Sequence, residues 1–143
     1  MTAEEYTNHV RNVMAGDRYA TEVTGVVLRE AGDGISVCML PLDNRHRNAR
    51  GGVMGGVMFT LADFAFAVAA NGACLSAGDP LAWVSTSADV HFLCQPKGDT
   101  LTVRCQRVRQ GRTRCYYQAV IQDEAGRQVA VVSIEGMHVA EGG

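Results

Sequence analysis

The sequence has little net charge and no histidine or cysteine pattern that is typical of a metal site. Its formal net charge is −2 over 143 residues, so no strong field attracts nucleic acid or an anionic membrane, and we expect neither as a partner. The five cysteines form no C-x-x-C pair, and the four histidines stand at no metal-ligand spacing. We therefore expect free thiols, no metal and no bound cofactor.

The sequence also lacks features that would divide the chain or direct it to secretion. Residues 2–11 are polar, whereas a signal peptide is basic and then apolar. No linker, low-complexity segment or internal repeat is present, and a chain of this length can bury one core. Together with the scattered cysteines, which suit a reducing compartment, these absences predict a single cytoplasmic domain over residues 1–143.

One long apolar run follows a glycine-rich loop and extends to Leu75. Its main polar residues are Thr60, Asp63 and Asn71. As a helix it would span roughly 30 Å, and a helix that is apolar on every face must be buried in a protein core or a membrane. A carboxylate costs about 2.5–3.5 kcal/mol at the centre of a membrane, and no cluster of Lys or Arg flanks the run. The sequence therefore favours the central helix of a protein core.

The remaining sequence predicts a short N-terminal helix and a series of antiparallel strands. Thr2 and Glu5 have the spacing of a capping box, and apolar residues then recur at helical spacing until Gly16. The order helix, two strands, long helix and four strands is typical of the α+β class, with one face of the sheet packed on the long helix. Alternating apolar residues between turns predict strands within residues 22–42, 81–94, 101–109, 113–123 and 128–139.

Two glycine pairs, Gly51-Gly52 and Gly55-Gly56, stand just before the predicted long helix. Glycine lets the backbone approach a ligand closely, and the first N–H groups of a helix have no partner within the helix and carry the positive end of its dipole. Such N–H groups suit a carbonyl oxygen that gains negative charge during a reaction. The alternative is a tight turn in which glycine is needed for steric reasons alone.

Asp63 lies about two turns into the same predicted helix. A buried carboxylate is unfavourable unless it is paired or hydrogen-bonded, and burial raises its pKa towards the range used in acid–base catalysis. The alternative is a structural acid bonded to a neighbouring hydroxyl or amide. Asn48, ahead of the glycines, could position a water or a carbonyl, although a loop asparagine often only forms a turn.

These residues resemble the signature of the hotdog-fold acyl-CoA thioesterases of the phenylacetate-degradation, or PaaI-like, type. That signature runs Asn, a glycine-containing loop, His-Gly-Gly, Leu-Ala-Asp and a helix of small residues. Asn48, Gly55-Gly56 and Leu61-Ala62-Asp63 match it in spacing, and weaker landmarks extend the resemblance from about Val23 to the C-terminus. The resemblance implies a hotdog fold, which is an antiparallel sheet wrapped around a long central helix. It also implies homodimers joined through the strand after that helix, often assembled into homotetramers, with the active site between protomers.

The resemblance implies a role for each matching residue. The Gly55 amide would polarise the thioester carbonyl of an acyl-CoA, and Asp63 of the other protomer would act as base or nucleophile. Asn48 would hold the water or the carbonyl, and Thr86 would orient the attacking water. Strict alternation along residues 81–94 places Thr86 and its two serine neighbours on opposite faces of the strand, so the register of this hydroxyl stays open.

One residue departs from the signature, because Met54 stands where the family has the histidine of His-Gly-Gly. The contribution of an imidazole is lost there, so hydrolysis could be slow or adapted to an unusual acyl group. His46 could compensate, but we expect it to be a surface residue of the loop. The alternatives are a non-catalytic acyl-CoA-binding protein and a dehydratase, the latter disfavoured because it needs a histidine together with the acid.

The substrate implied by the resemblance is the CoA thioester of an aromatic or medium-chain acid, and coenzyme A enters only as part of that substrate. Met54 and Gly56 would contact it, and apolar residues such as Phe59, Phe64 and Phe66 would line its acyl group. Arginine suits phosphate because its fork donates two hydrogen bonds at once, although a solvated sheet edge is the alternative explanation for these arginines. The candidate contacts for the phosphates of coenzyme A are Arg107, Arg109 and Arg112.

Overall fold

A computed structural model of the protein describes residues 1–139. Residues 140–143, the end of the predicted domain, lie outside the described residues. In the described part of the chain, two α-helices account for most of the helical structure, and two short helical turns lie in the connecting segments. In chain order the helical segments are Ala3–Met14 (α1), a π-helical turn at Tyr19–Thr24, a 3₁₀ turn at Asn44–His46, and Gly55–Ser76 (α2).

Within residues 1–139, six strands form one antiparallel sheet. They are Val27–Gly32 (β1), Ile35–Pro41 (β2), Trp83–Phe92 (β3), Thr100–Gln110 (β4), Arg114–Gln122 (β5) and Gln128–His138 (β6). Their spatial order is β1-β2-β4-β5-β6-β3, and each neighbouring pair is antiparallel. The strand that follows α2 in sequence, β3, therefore lies at an edge of the sheet. The predicted α+β class, with an antiparallel sheet around a long helix, is confirmed.

The α2 helix lies in the core because its apolar residues pack against the inner face of the sheet. Twelve of its 22 residues are buried. Its partners in the core include the fully buried side chains of Leu101, Val103 and Ile134, and burying a side chain of this size stabilises the fold by about 1.5–3 kcal/mol. By length and composition alone α2 could cross a membrane, but 61% of its apolar 18-residue window is buried inside the protein.

The N-terminal segment differs from the sequence prediction after its first helix. Thr2 caps α1 as predicted, with its hydroxyl accepting the N–H of Glu5 at 3.1 Å. The strand predicted to begin at residue 22 is wrong for its first residues, because β1 starts only at Val27. Residues 19–24 form the π-helical turn instead, which ends at Gly25 with a φ of +93°. Glycine adopts this φ readily, and it interrupts the extended backbone that a strand needs.

Asn71 ties α2 to the first residues of β3. Its side chain is 1% exposed, and its Oδ1 accepts the N–H groups of Ala82 and Trp83 at 2.9 and 2.8 Å. Its Nδ2 donates to the carbonyl groups of Trp83 and Ala67, at 3.0 Å each. The amide is fully engaged, so this polar residue of the apolar run fixes where β3 begins relative to α2.

Replacement of Asn71 with leucine is expected to lower the free energy of unfolding by about 3 kcal/mol, because two N–H groups at the start of β3 lose their buried acceptor. Urea denaturation followed by circular dichroism would measure the change. Gln118→Leu, at an exposed position of β5, is the control and should change the free energy by less than about 0.5 kcal/mol. An Asn71→Leu protein as stable as the wild type would contradict the role of this side chain.

Candidate active site

The glycine-rich loop ahead of α2 folds back on itself. The N–H of Asn48 donates to the carbonyl of Gly52 at 2.8 Å, and the N–H of Met54 donates to the carbonyl of His46 at 2.9 Å. These two bonds cross the loop as in a short hairpin. The two bonds fix the loop directly before α2, whose first residue is Gly55.

Gly55 and Gly56 present free N–H groups at the start of α2. The N-cap residue Met54 offers no side-chain hydrogen bond, and within residues 1–139 neither glycine N–H has a protein acceptor. This is expected for the first turn of a helix. A Cβ atom on Gly55 would lie 2.9 Å from the exposed Phe92 ring, so glycine lets this ring lie close to the free amide. The two predicted substrate contacts, Met54 and Gly56, are exposed beside this amide.

A cavity of about 490 Å³ opens beside the Gly55 amide. Asn48 and the exposed ring of Phe92 help to line it. The Oδ1 atom of Asn48 accepts the N–H groups of Arg50 and Gly52 at 3.0 and 3.1 Å, so this asparagine does form a turn. Its Nδ2 makes no hydrogen bond in the part of the chain that the structure describes. Towards a ligand, Asn48 can therefore act as a donor.

His46 is buried, so the expectation of a surface histidine is wrong. Its side chain is 2% exposed. Its Nδ1 accepts the N–H of Asp43 at 3.0 Å, and its Nε2 donates to the carbonyl of Thr24 at 2.7 Å. Because both ring nitrogens are engaged, His46 has no free nitrogen with which to replace the imidazole missing at Met54.

Asp63 faces a second cavity, of about 430 Å³, two turns along α2. Phe59 and Phe64 of the same helix line this cavity, as does Asp17 from the segment after α1. The hydroxyl of Ser85 donates to Oδ1 of Asp63 at 3.4 Å. Burial raises the pKa of Asp63 above its ordinary value, the bond from Ser85 lowers it, and the Asp17 carboxylate raises it further. A half-buried acid of raised pKa is suited to proton transfer, whereas its hydroxyl partner would fit a structural acid as well.

A bulge in β3 lies directly after Ser85, the residue whose hydroxyl reaches Asp63. In the pairing of β3 with β6, Ser85 and Ser87 lie opposite consecutive residues, so Thr86 is the extra residue. Thr86 donates to the carbonyl of Glu135 at 3.2 Å, and Ser87 donates to the Glu135 carboxylate at 3.1 Å. The strict alternation expected for this strand is therefore wrong, and Ser85 rather than Thr86 lies beside the acid.

Gly55 and Asp63 do not meet within one chain. They are eight residues apart on α2, which is about 12 Å along a helix axis, and they line different cavities. The outer edge of β3 has no strand partner among residues 1–139, and Val84 and Phe92 expose apolar side chains along it. An exposed edge of this kind is a template for pairing with a strand of another chain.

The three arginines predicted to bind phosphate lie around the turn between β4 and β5. Arg107 forms an ion pair with Asp33 at 2.8 Å and so supports the turn between β1 and β2. Arg109 lines a smaller cavity of about 250 Å³, and Arg112 is exposed in the turn. None of them lines the cavity of the amide or that of the acid, so one chain does not bring them to either group.

Two of the three phenylalanines expected to line an acyl group reach a cavity. Phe59 and Phe64 line the one beside Asp63. Phe66 is 1% exposed and packs edge to face on Tyr117, with ring centroids 5.3 Å apart. Its expected place in the lining is wrong because its direction on α2 points it into the sheet.

Asp17 and Gln95 are among the cavity residues that were not predicted from the sequence. Asp17 follows α1, a helix in which no candidate site residue was predicted, and Gln95 comes after β3, outside the glycine and Leu-Ala-Asp motif. The only signal for either is the polarity of the side chain, because the contacts that place them at the cavities join distant parts of the chain.

A sequence comparison with protein families matches residues 50–135 to the thioesterase superfamily. The matched range contains both glycine pairs, Asp63 and Ser85, and it begins two residues after Asn48. Among proteins of curated function, none matches the chain.

Solved structures resemble the chain over most of its length. The PaaI protein from the phenylacetic acid degradation operon of Escherichia coli has a TM-score of 0.84 and 24% identity, over 97% of this chain and 97% of that chain. A hypothetical thioesterase from Streptococcus pneumoniae, solved with coenzyme A, has a TM-score of 0.74 and 24% identity, over 89% and 97%. The protein smu.793 from Streptococcus mutans, bound to acetyl-CoA, has a TM-score of 0.71 and 19% identity, over 80% and 89%. These likenesses confirm the predicted hotdog fold.

Proposed function

This chain belongs to the thioesterase superfamily, and we propose that it hydrolyses the thioester of an acyl-CoA to a free acid and coenzyme A. The observation that carries the proposal is a free helix N-terminus and a half-buried acid on one helix, each facing a cavity. Two of the similar structures contain coenzyme A or acetyl-CoA, which supports the same class of substrate.

The N–H of Gly55 would stabilise negative charge on the thioester oxygen. It is free, and it lies at the positive end of the α2 dipole. The Nδ2 of Asn48 offers a second donor in the same cavity. Donors of this kind, fixed before the reaction begins, stabilise the tetrahedral intermediate, and losing one typically lowers the rate by about 10²–10³. The carbonyl carbon bound there becomes more open to attack.

Asp63 would either activate a water or supply the attacking oxygen itself. As a base, its carboxylate takes a proton from a water held with Ser85, and the hydroxide attacks the carbonyl carbon. As a nucleophile, it attacks directly and forms a mixed anhydride that water then hydrolyses. In both routes the C–S bond breaks and the thiolate of coenzyme A leaves. Both routes use the ionised acid, so the rate falls as the pH drops through the raised pKa of Asp63.

The two halves of the site would come from two copies of the chain. Because Gly55 and Asp63 are about 12 Å apart along α2, one chain does not hold both against the same carbonyl carbon. A two-fold axis at the free β3 edge would create two equivalent sites. Each would combine Asn48 and Gly55 of one copy with Asp63 and Ser85 of the other. We infer a homodimer of this kind, and a homotetramer built from two such dimers.

The acyl group proposed for the substrate is aromatic or of medium chain length. Phe59 and Phe64 give the Asp63 cavity two aromatic walls, and its volume of about 430 Å³ lies in the range of small-molecule sites. The similar Escherichia coli protein comes from a phenylacetic acid degradation operon, which supports an aromatic acid.

The experiment that tests the function is thiol release from a panel of aromatic, medium-chain and long-chain acyl-CoAs. We expect turnover, fastest with an aromatic or medium-chain thioester. The second candidate is a non-catalytic acyl-CoA-binding protein, favoured by Met54 at the family's histidine position and by the engagement of both His46 nitrogens. Tight calorimetric binding without thiol release would support that candidate and refute hydrolysis.

Replacement of Asp17 with asparagine is expected to move the acid limb of the kcat/KM profile to lower pH. The Asp17 carboxylate helps to raise the pKa of Asp63, so its removal lets the ionised acid persist at lower pH. Arg18 also lines the cavity, but its guanidinium pairs with Glu22 at 3.0 Å. Glu4→Gln, on the exposed face of α1, is the control and should leave the limb in place. A limb that stays or moves to higher pH in Asp17→Asn would contradict this influence.

A further inference from the structure

The side chain of Gln95, which lies outside the glycine-rich loop, accepts a hydrogen bond from the loop backbone. The N–H groups of Asn48 and Met54 donate across the loop, at 2.8 and 2.9 Å. Successive N–H groups of a paired backbone point to opposite sides, so the N–H of Val53 points out of the loop. It donates to Oε1 of Gln95 at 3.0 Å. Gln95 lies so close to Gly52 that a Cβ atom there would be 2.6 Å from Oε1. This contact joins parts of the chain that are 42 residues apart.

Gln95 is itself anchored through its backbone to the turn between β5 and β6. Its carbonyl accepts Nη2 of Arg127 at 2.7 Å, and Nε of Arg127 donates to Asp123 at 3.0 Å. Asp123 is buried and also accepts the N–H of Lys97 at 3.0 Å. These hydrogen bonds, led by that of Lys97, hold the pKa of Asp123 down at about 2. The segment around Gln95 is thus held by Asp123, which is ionised at neutral pH.

We propose that Gln95 is a positioning residue that sets the orientation of the Gly55 amide. Val53, which it holds, precedes that amide by two residues, and both Gln95 and Gly55 line the same cavity. The helix N-terminus has no side-chain cap of its own, so the contact with Gln95 adds a polar restraint to a segment that is otherwise held by its backbone and by the buried side chain of Val53. A displacement of about 1 Å at a group that stabilises the transition state can lower the rate by about 10²-fold. The kinetic part of this inference rests on the proposed hydrolase function.

Two variants of similar length separate this role from a general loss of packing. Gln95→Met keeps the chain length but removes the acceptor for Val53, and it is expected to lower kcat by about 10-fold or more while KM changes by less than about 3-fold. Gln95→Glu keeps an oxygen acceptor at the same distance, but its charge lies in the cavity where the thioester oxygen becomes negative. It is expected to retain a kcat at least about 3-fold higher than that of Gln95→Met. Gln118→Met, exposed on β5, is the matched control.

A second measurement does not depend on turnover. Hydrogen exchange of the Val53 amide should be slow in the wild type and in Gln95→Glu, and at least about 10-fold faster in Gln95→Met. The ¹⁵N and ¹H shifts of Gly55 should move more in Gln95→Met than in Gln95→Glu. Unchanged exchange and shifts in Gln95→Met, or an equal loss of kcat in both variants, would overturn the inference. If the wild type releases no thiol from any acyl-CoA, the hydrolase proposal fails, and the exchange and shift data still decide whether Gln95 holds the amide.

Discussion

Replacement of Asp63 with asparagine is expected to lower kcat for acyl-CoA hydrolysis by about 10³-fold or more. Asparagine has the same shape and keeps an oxygen for the Ser85 hydroxyl, but it neither takes a proton from water nor attacks a carbonyl. The amide of Gly55 would still bind the thioester, so KM should change little. Thiol release at saturating substrate would measure the loss.

The control for this variant is Asp79→Asn, an exposed acid in the segment between α2 and β3 that lines neither cavity. Its activity should match that of the wild type. Circular dichroism and urea denaturation should show that the Asp63→Asn protein remains folded, because removing a half-buried charge removes an unfavourable burial. An Asp63→Asn enzyme with undiminished turnover would refute the assignment of the acid.

Two inactive variants, mixed, are expected to restore about a quarter of wild-type activity if the site is shared between subunits. The first is Asp63→Asn, and the second is Gly55→Pro, which deletes the N–H at the first position of α2. Proline is favoured at this helical position, and the extended backbone of Met54 is compatible with a following proline. The Phe92 ring, which is 53% exposed, can move away from the added atoms.

The expected fraction follows from the symmetry of the proposed dimer. After the two variants are unfolded together and refolded in equal amounts, about half of the dimers contain one chain of each kind, and one of the two sites in such a dimer has both groups intact. Each variant refolded alone is the control and should stay inactive. If the mixture is no more active than its components, or if the wild type is a monomer by light scattering, the shared site is refuted.

The central helix and the succession of helices and strands along the chain could be predicted because their signals are local. An apolar run interrupted by one acid and one amide has few structural solutions, and alternation between turns marks strands without knowledge of their partners. The spacing of Asn48, Gly55 and Asp63 likewise lies within a single stretch of chain. For these features, no contact between distant residues had to be known in advance.

The errors fall where partners distant in sequence decide the structure. The sequence of β3 predicts regular alternation. Nothing in its own residues shows that Ser85 and Ser87 pair with consecutive residues of β6, so the bulge at Thr86 was missed. His46 was expected at the surface because nothing near it in sequence could bury it. Its partner Thr24 is 22 residues away and is placed beside it by the π-helical turn. Gln95 gave no signal for the same reason, since its contact with Val53 exists only in the folded chain.

The bulge in β3 also has a consequence for comparing related sequences. Deleting Thr86 would leave Ser85 opposite Gly136 and Ser87 opposite Glu135, so neither half of the strand would shift against its neighbour. Descendants of one ancestor can therefore differ in length by a single residue at this point and still present the same hydroxyl to Asp63. An alignment that puts the gap elsewhere in the strand would pair this serine with the wrong residue of its relatives.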